Sequence, residues 1–180
     1  MPEKSNHEEA SQHVKLARAA IEVWVKERKI LSPGEEEDAD FYQLHEKAAA
    51  FVSLKKDGML RGCIGTIRPT RETLAEEIIH NAISAAQRDP RFPPVGEEEL
   101  EDLDISVDVL SEPEPIPDIS YLDPRRYGVI VQKGTRIGLL LPDLEGVDSA
   151  EQQVEIACNK AGIMPGEDVR LYRFTVDRFH

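Results

Sequence analysis

The amino-acid sequence predicts an α+β fold with a mostly antiparallel sheet. Apolar residues recur at helical spacing in three segments, and β-rich stretches separate those segments. The order hairpin, helix, strand occurs twice, over residues 51–110 and over residues 129–177. This succession is typical of an α+β fold built from a repeated unit, and the alternative is a chance likeness between two hairpins.

The first element is an amphipathic helix, predicted over residues 8–31. Its apolar stripe is formed by residues at spacings of three and four, including Val14, Ala17, Ile21 and Trp24. Proline and glycine at 33–34 end the helix. The acidic run at 35–40 then predicts a solvated loop, and a cation site is the alternative.

The two hairpins share their turn chemistry. Each reads as a strand, a turn with lysine and glycine, and a second strand. Gly58 and Gly62 in the first hairpin have the same spacing as Gly134 and Gly138 in the second. These glycines indicate that the two hairpins are counterparts.

A helix and a strand are predicted after each hairpin. The helices cover about 71–88 and 149–161, where apolar residues form one stripe. The strands cover 103–109, which alternates strictly, and 169–176, which is rich in β-forming residues. The sequence therefore predicts two units of the same design.

The register of the first hairpin follows from the length of its turn. A three-residue loop over 56–58 predicts that Leu54 pairs with Leu60 and Val52 with Gly62. That register places the apolar side chains on one face and the polar side chains on the other.

Cys63 is the first candidate functional residue. It lies between Gly62 and Gly65, on the predicted polar face with Arg61 and Ser53. The glycines remove side-chain bulk, so a ligand could approach the backbone beside the sulfur. Because Arg61 shares a strand face with Cys63, its guanidinium is expected to stabilise a thiolate and lower the pKa of the thiol. The alternative is a small buried side chain whose neighbouring glycines serve packing.

A second candidate group lies on the following helix and at its end. Asn81 stands among alanines in mid-helix, an unfavourable place unless its amide has a partner. Asp89 precedes a proline, which ends the helix, and Arg91 follows. Arg91 can bind an anion at the rim of a pocket lined by Arg61, Cys63 and Asn81. The alternative is that the polar residues of this group only hold the loop.

The composition excludes several classes of protein. The 180 residues include 35 acidic and 22 basic ones, for a formal charge of -13, so nucleic-acid binding is not expected. No apolar run reaches the roughly 20 residues that a membrane span requires, and no hydrophobic signal region opens the chain. We therefore expect a cytoplasmic protein that binds neither nucleic acid nor membrane.

The cysteines and histidines predict neither a disulfide nor a metal site. Cys63 and Cys158 are far apart without paired spacing, which favours a reducing compartment. The five histidines lack metal-ligand spacing, so we expect no metal and no cofactor. Cys158 lies on the inward stripe of its helix and is predicted to be structural.

Several segments, in this order, carry a family resemblance: 60–65, 81–82, 85–86, 89–94, 127–128, 138–142 and 158–162. They resemble the AMMECR domain family, whose microbial members are called protein A of the AmmeMemoRadiSam system. The resemblance runs from about Leu16 to Phe179, and many motifs in one order make it specific. Val147 stands where the family usually has tryptophan.

The resemblance implies a single AMMECR-like domain over residues 1–180, with two unequal lobes and a cleft between them. It also implies a pathway shared with a radical S-adenosylmethionine protein and a Memo-type protein. It supplies no reaction. The candidate site residues that it carries over are those already named: Arg61, Gly62, Cys63, Gly65, Asn81, Asp89 and Arg91.

The leading functional hypothesis is an enzyme, or a component of one, that acts on a small anionic molecule. Cys63 would be the nucleophilic or redox thiol, Arg61 would lower its pKa, and Arg91 would bind the substrate. Asn81, Asp89 and the glycines would complete the substrate site. The alternative is a non-catalytic module that docks onto partners of the same pathway. A metal carrier that uses both cysteines is the least favoured hypothesis.

Overall fold

The computed structural model describes residues 10–33 and 44–180. In chain order its elements are α1 (Gln12–Glu27), β1 (Ala49–Lys56), β2 (Met59–Gly65), α2 (Leu74–Gln87), β3 (Leu103–Leu110), β4 (Glu114–Ile116), β5 (Gly128–Lys133), β6 (Arg136–Leu140), α3 (Ala150–Ala161), β7 (Arg170–Phe174) and β8 (Val176–Phe179). The chain divides into two compact units, residues 1–108 with 178–180 and residues 109–177. Helices combine with two antiparallel sheets, which confirms the predicted α+β class.

The first unit opens with α1, which is shorter than the predicted helix. The hydroxyl oxygen of Ser11 caps its first turn by accepting from the N–H of Val14. The helix ends at Arg28, which has a left-handed backbone with φ 57°. The predicted start at residue 8 and the acidic run at 35–40 lie outside the described residues.

The sheet of the first unit has the strand order β2-β1-β3-β8. α2 begins after Thr73, whose hydroxyl oxygen accepts from the N–H of Glu76, and it packs on β1 and β2. α1 packs on α2 in turn, so α2 is buried along most of its length. β2 is an edge strand, which leaves one side of its backbone without a neighbouring strand.

The predicted register of the first hairpin is wrong. Asp57 and Gly58 form a two-residue turn, both with positive φ, so Leu54 pairs with Gly62 rather than with Leu60. In β2, one extra residue, Arg61, forms a bulge opposite Leu54 and Lys55, so that Lys55 pairs with Leu60. Leu60 is exposed. The three-residue loop is predicted because it keeps polar and apolar side chains on separate faces, and with the two-residue turn the bulge does so instead.

The sheet of the second unit has the order β4-β7-β5-β6. Its strands β6, β5 and β7 lie in the same order as β2, β1 and β3 of the first unit. In both units the two strands of the hairpin are neighbours, and the strand that follows the helix pairs with the first strand of the hairpin. Gly134 lies in the turn of its hairpin, as Gly58 does in the first. Descent of both units from one ancestral unit stays a prediction.

In each unit one glycine allows the helix to pack closely on the hairpin. A Cβ atom on Gly62 would lie 2.2 Å from the carbonyl oxygen of Ala85 in α2. A Cβ atom on Gly138 would lie 2.0 Å from the carbonyl oxygen of Ala157 in α3. Any other residue would force the helix away from the sheet at these two points.

No helix in the described part of the chain is both long and apolar enough to cross a membrane.

Candidate functional site

The thiol of Cys63 lies on the polar face of the first hairpin. Cys63 is half-buried and stands directly across from Ser53, whose Oγ is 3.2 Å from the Cys63 Sγ. The predicted grouping of these two side chains on one face is therefore confirmed. A hydroxyl at this distance can donate to a thiolate or accept from a thiol.

Asp89 and Arg91 hold the backbone of Cys63. The Cys63 N–H donates to Asp89 Oδ2 at 3.0 Å, and Arg91 Nη2 lies 3.5 Å from the Cys63 carbonyl oxygen. Arg91 also donates to both oxygens of Asp89, from Nε at 3.0 Å and from Nη2 at 2.8 Å. Since β2 is an edge strand, these side chains supply partners that a neighbouring strand would otherwise provide.

The charges of this pair are fixed by their contact. Hydrogen bonds from Arg91, and then from the backbone of Cys63, hold the pKa of Asp89 well below its usual range. The same contact raises the pKa of Arg91 above its ordinary value. Asp89 is therefore an anion at neutral pH and poorly suited to act as a general base. Arg91 keeps 56% of its side chain exposed, whereas that of Asp89 is 2% exposed.

Arg61 makes its contacts away from the thiol. Its Nε and Nη2 donate to the two carboxylate oxygens of Glu99 at 3.0 and 2.9 Å, and its Nη1 donates to the Pro93 carbonyl oxygen at 2.8 Å. Glu99 also accepts from Lys56 Nζ and from the Gly96 N–H. These donors, Arg61 foremost, lower the pKa of Glu99 to about 2. Arg61 is the extra residue of the bulge in β2.

Asn81 is buried and its amide has a structural partner. Its Nδ2 donates to the Ala50 carbonyl oxygen at 2.9 Å, which ties α2 to the start of β1. The sequence predicted that an amide in mid-helix needs a hydrogen-bond partner, and the Ala50 carbonyl oxygen is that partner.

The two glycines beside Cys63 leave less room than the sequence suggested. The space that a side chain on Gly62 would need is occupied by the backbone of Ala85. The space beside Gly65 is occupied by the Phe51 ring, which would lie 2.2 Å from a Cβ atom added to Gly65. Both spaces are filled by the protein, so a ligand cannot approach through them. The predicted opening is wrong because α2 and Phe51 pack there.

Sequence reasoning missed a buried carboxylate that shapes the loop after β2. Glu77 is 1% exposed and accepts from the Thr66 and Thr70 hydroxyls and from the N–H groups of Thr70 and Arg71. The signal was its spacing, because Glu77 stands three residues after Leu74 on the inward side of α2.

Among the described residues, no group of three or more His, Cys, Asp and Glu side chains can hold a metal ion.

The second unit repeats the contacts of Arg61 but not those of Cys63. Glu167 accepts from Lys133 at 2.9 Å, from Arg136 at 3.0 Å and from the Met164 N–H at 2.7 Å. Its pKa is lowered to about 2, first by Arg136. At the place of Cys63 the second hairpin carries Leu139, which is buried.

Relatives of this chain occur in bacteria and archaea. A protein of Thermotoga maritima is 54% identical over 169 residues, covering 93% of this chain and 96% of that protein. A protein of Methanothermobacter thermautotrophicus is 41% identical, covering 93% and 91%. A protein of Clostridium acetobutylicum is 49% identical over 97% of this chain, which spans 37% of that longer protein.

A solved structure and a family profile agree with these relatives. The crystal structure of an uncharacterized protein from Pyrococcus horikoshii has a TM-score of 0.83 and 38% identity, covering 92% of this chain and 88% of that one. The fold and the site define an α+β protein of two hairpin-and-helix units, of which the first carries a thiol on its hairpin. The AMMECR1 profile matches residues 14–179, and the chain belongs to the AMMECR1 family.

Proposed function

We propose that this chain is a cytoplasmic enzyme, or a component of one, that acts on a small anionic molecule at Cys63. Cys63 is the nucleophilic or redox thiol, and Arg91 binds the anion. The observation that carries the proposal is that Ser53 contacts the half-buried thiol of Cys63 while Asp89 and Arg91 hold the backbone of the same residue. The proposed pathway includes a radical S-adenosylmethionine protein and a Memo-type protein.

Arg91 is suited to bind an anion without releasing Asp89. Its Nε and Nη2 are engaged by Asp89, and among its contacts with described residues none uses Nη1. The N–H groups of Nη1 can donate to an oxygen of a carboxylate or a phosphate. The anion would then lie beside the residue that carries the thiol.

The contacts of Arg61 do not support the predicted role of its guanidinium in lowering the pKa of the thiol. Its guanidinium is engaged by Glu99 and by the Pro93 carbonyl oxygen, and its side chain is 13% exposed. A carboxylate at this distance offsets the charge that Arg61 would offer to a thiolate. We therefore leave this role of Arg61 out of the proposal.

The test is the rate of alkylation of Cys63 by iodoacetamide as a function of pH. The proposal predicts that Cys63 is alkylated faster than Cys158 across the neutral pH range. Cys158 in the same chain is the internal control, because burial and then Glu167 raise the pKa of its thiol. A Cys63 that reacts no faster than Cys158 would sink the catalytic proposal.

Two variants divide the roles further. Ser53→Ala is expected to shift the alkylation profile to higher pH, because the thiolate loses a donor at 3.2 Å. Arg61→Gln is expected to leave the profile in place if Glu99 holds that charge. A shift in Arg61→Gln as large as that in Ser53→Ala would restore the pKa-lowering role of Arg61.

The second candidate function is a non-catalytic module that docks onto partners of the same pathway. It is favoured by one observation, that Arg61 and Arg91 are both held in ion pairs within the protein. Its test is direct binding of the purified chain to the radical S-adenosylmethionine and Memo-type proteins. Tight binding that persists in Cys63→Ser, together with an inert thiol, would favour the module.

A further inference from the structure

A cavity of about 420 Å³ lies in the second unit, at the tip of the β5–β6 hairpin and beside the start of β7. It is lined by Gln132, Lys133, Gly134, Asp168, Val169 and Arg170. Its volume falls within the roughly 300–1,000 Å³ that ligand pockets occupy. Four of the six lining residues are charged or carry an amide, so the cavity suits a small hydrophilic ligand.

The charges around this cavity are of two kinds. Lys133 is engaged, because its Nζ donates to Glu167 at 2.9 Å, and Glu167 also binds Arg136. Asp168 and Arg170 are different. Neither side chain forms a hydrogen bond or an ion pair with any described residue, and the two do not pair with each other.

Two opposite charges that face one cavity without neutralising each other restrict the ligand. A simple anion at Arg170 would meet the negative potential of Asp168 and Glu167, and a simple cation at Asp168 would meet that of Arg170 and Lys133. A molecule that carries both charges avoids both conflicts.

Gln132 supplies a further acceptor. It stands directly across from Arg170 in the sheet. Its Nε2 donates to the Gly134 carbonyl oxygen at 3.3 Å, so the amide oxygen of Gln132 is able to accept from a ligand.

We propose that this cavity binds a small zwitterion of the amino-acid class. Arg170 binds the carboxylate of the ligand, and Asp168 binds its ammonium group with help from the Gln132 amide oxygen. The cavity is lined by residues of the second unit, whereas Cys63 belongs to the first.

The test is a titration of isotope-labelled protein with L-alanine, followed through the amide signals of Gly134 and Val169. We expect saturable shifts, and at least about tenfold weaker binding in Arg170→Gln and in Asp168→Asn, as the loss of one charge contact implies. Acetate and methylammonium each carry one of the two charges and are expected to bind at least about tenfold more weakly than alanine. Arg125→Gln changes an exposed arginine of the same unit and serves as the matched control.

Acetate that binds as tightly as alanine, with Asp168→Asn unaffected, would replace the zwitterion site by an anion site and overturn the proposal. The absence of saturable shifts with all three probes would overturn it as well. Cys63→Ser should bind alanine like the wild type, so failure here and failure of the thiol proposal are distinguishable.

Discussion

The two units hold their hairpins to their helices with the same set of contacts. In the first unit Gly62 lies under Ala85, and four residues before Ala85 the Asn81 amide donates to Ala50. In the second, Gly138 lies under Ala157, and four residues before Ala157 Gln153 donates to the Tyr127 carbonyl oxygen at 2.7 Å. Gly62 pairs with Leu54 across its hairpin, and Gly138 pairs with Val131. The acceptors Ala50 and Tyr127 precede these two residues by the same number of positions.

The charged contacts repeat as well. We call the glutamate of each unit, with the lysine and arginine that it binds, the glutamate clamp: Lys56, Arg61 and Glu99 in the first unit, and Lys133, Arg136 and Glu167 in the second. In both clamps the glutamate also accepts from the backbone N–H three residues earlier. The arginine in each case donates to a further backbone carbonyl oxygen at 2.8 Å.

This comparison separates the candidate site residues into two groups. Arg61, Gly62 and Asn81 have counterparts in the second unit, whose hairpin has no cysteine, so their contacts serve the common framework. Ser53 and Cys63 are replaced in the second unit by the buried pair Ile130 and Leu139. The first unit alone therefore keeps a polar pair at this place, and function is to be sought there.

The largest expected effect comes from the close approach of helix and strand. Gly62→Ala and Gly138→Ala should each destabilise the protein by about 3 kcal/mol, because the new methyl group meets a helix backbone that cannot give way locally. Gly134→Ala is the control. It meets nothing within 4 Å, and its positive φ alone should cost about 1 kcal/mol. Chemical denaturation measures all three, and equal losses would show that the two contacts are not what the framework depends on.

The glutamate clamp gives the next effect. Glu99→Gln should lower the free energy of unfolding by about 2 kcal/mol at neutral pH, because Arg61 and Lys56 lose their anionic acceptor. Glu167→Gln should cost less, since the side chain of Glu167 is 26% exposed and that of Glu99 is 15% exposed.

The clamp also predicts a pH dependence. The pKa of Glu99 is about 2 in the folded protein against an ordinary value of 4.5, so folding favours the carboxylate. Its contribution is full above pH 4.5 and is lost as pH falls from there toward about 2. Denaturation at several pH values should show a flatter profile for Glu99→Gln in this window, and a profile parallel to that of the wild type would contradict the assignment.

The buried amides should differ in a way that their contacts explain. Asn81→Leu is expected to cost about 1.5 kcal/mol, because the Ala50 carbonyl oxygen loses its donor. Gln153→Leu should cost less, since the Oε1 of Gln153 is buried without a partner among the described residues and its removal offsets part of the loss. A larger loss in Gln153→Leu than in Asn81→Leu would indicate that water or another group satisfies that oxygen. Neither variant should alter the alkylation profile of Cys63.

The smallest effect is expected at Cys158. It packs at the edge of the apolar cluster of the second unit, and Cys158→Ala should cost about 1 kcal/mol. The rate of alkylation at Cys63 should be unchanged in this variant. Rapid labelling of Cys158 in the native wild type would contradict its structural role.

Much of this design could be predicted from local pattern. Helical spacing located α2 and α3 within a few residues, and alternation located β3, because these patterns reflect which side faces the core. The shared spacing of Gly58 and Gly62 with Gly134 and Gly138 pointed to the two hairpins. The face shared by Ser53 and Cys63 was also predicted, although by way of a wrong register.

What the sequence by itself determined is the order of elements, their class and the position of the thiol on a polar strand face. Those follow from local spacing, which acts within a few residues along the chain. The partners of Arg61 and Asn81 were decided only by the tertiary structure. A guanidinium has no preference along the sequence for a carboxylate that is dozens of residues away, and only the folding of the first unit brings Glu99 to Arg61 and Ala50 to Asn81.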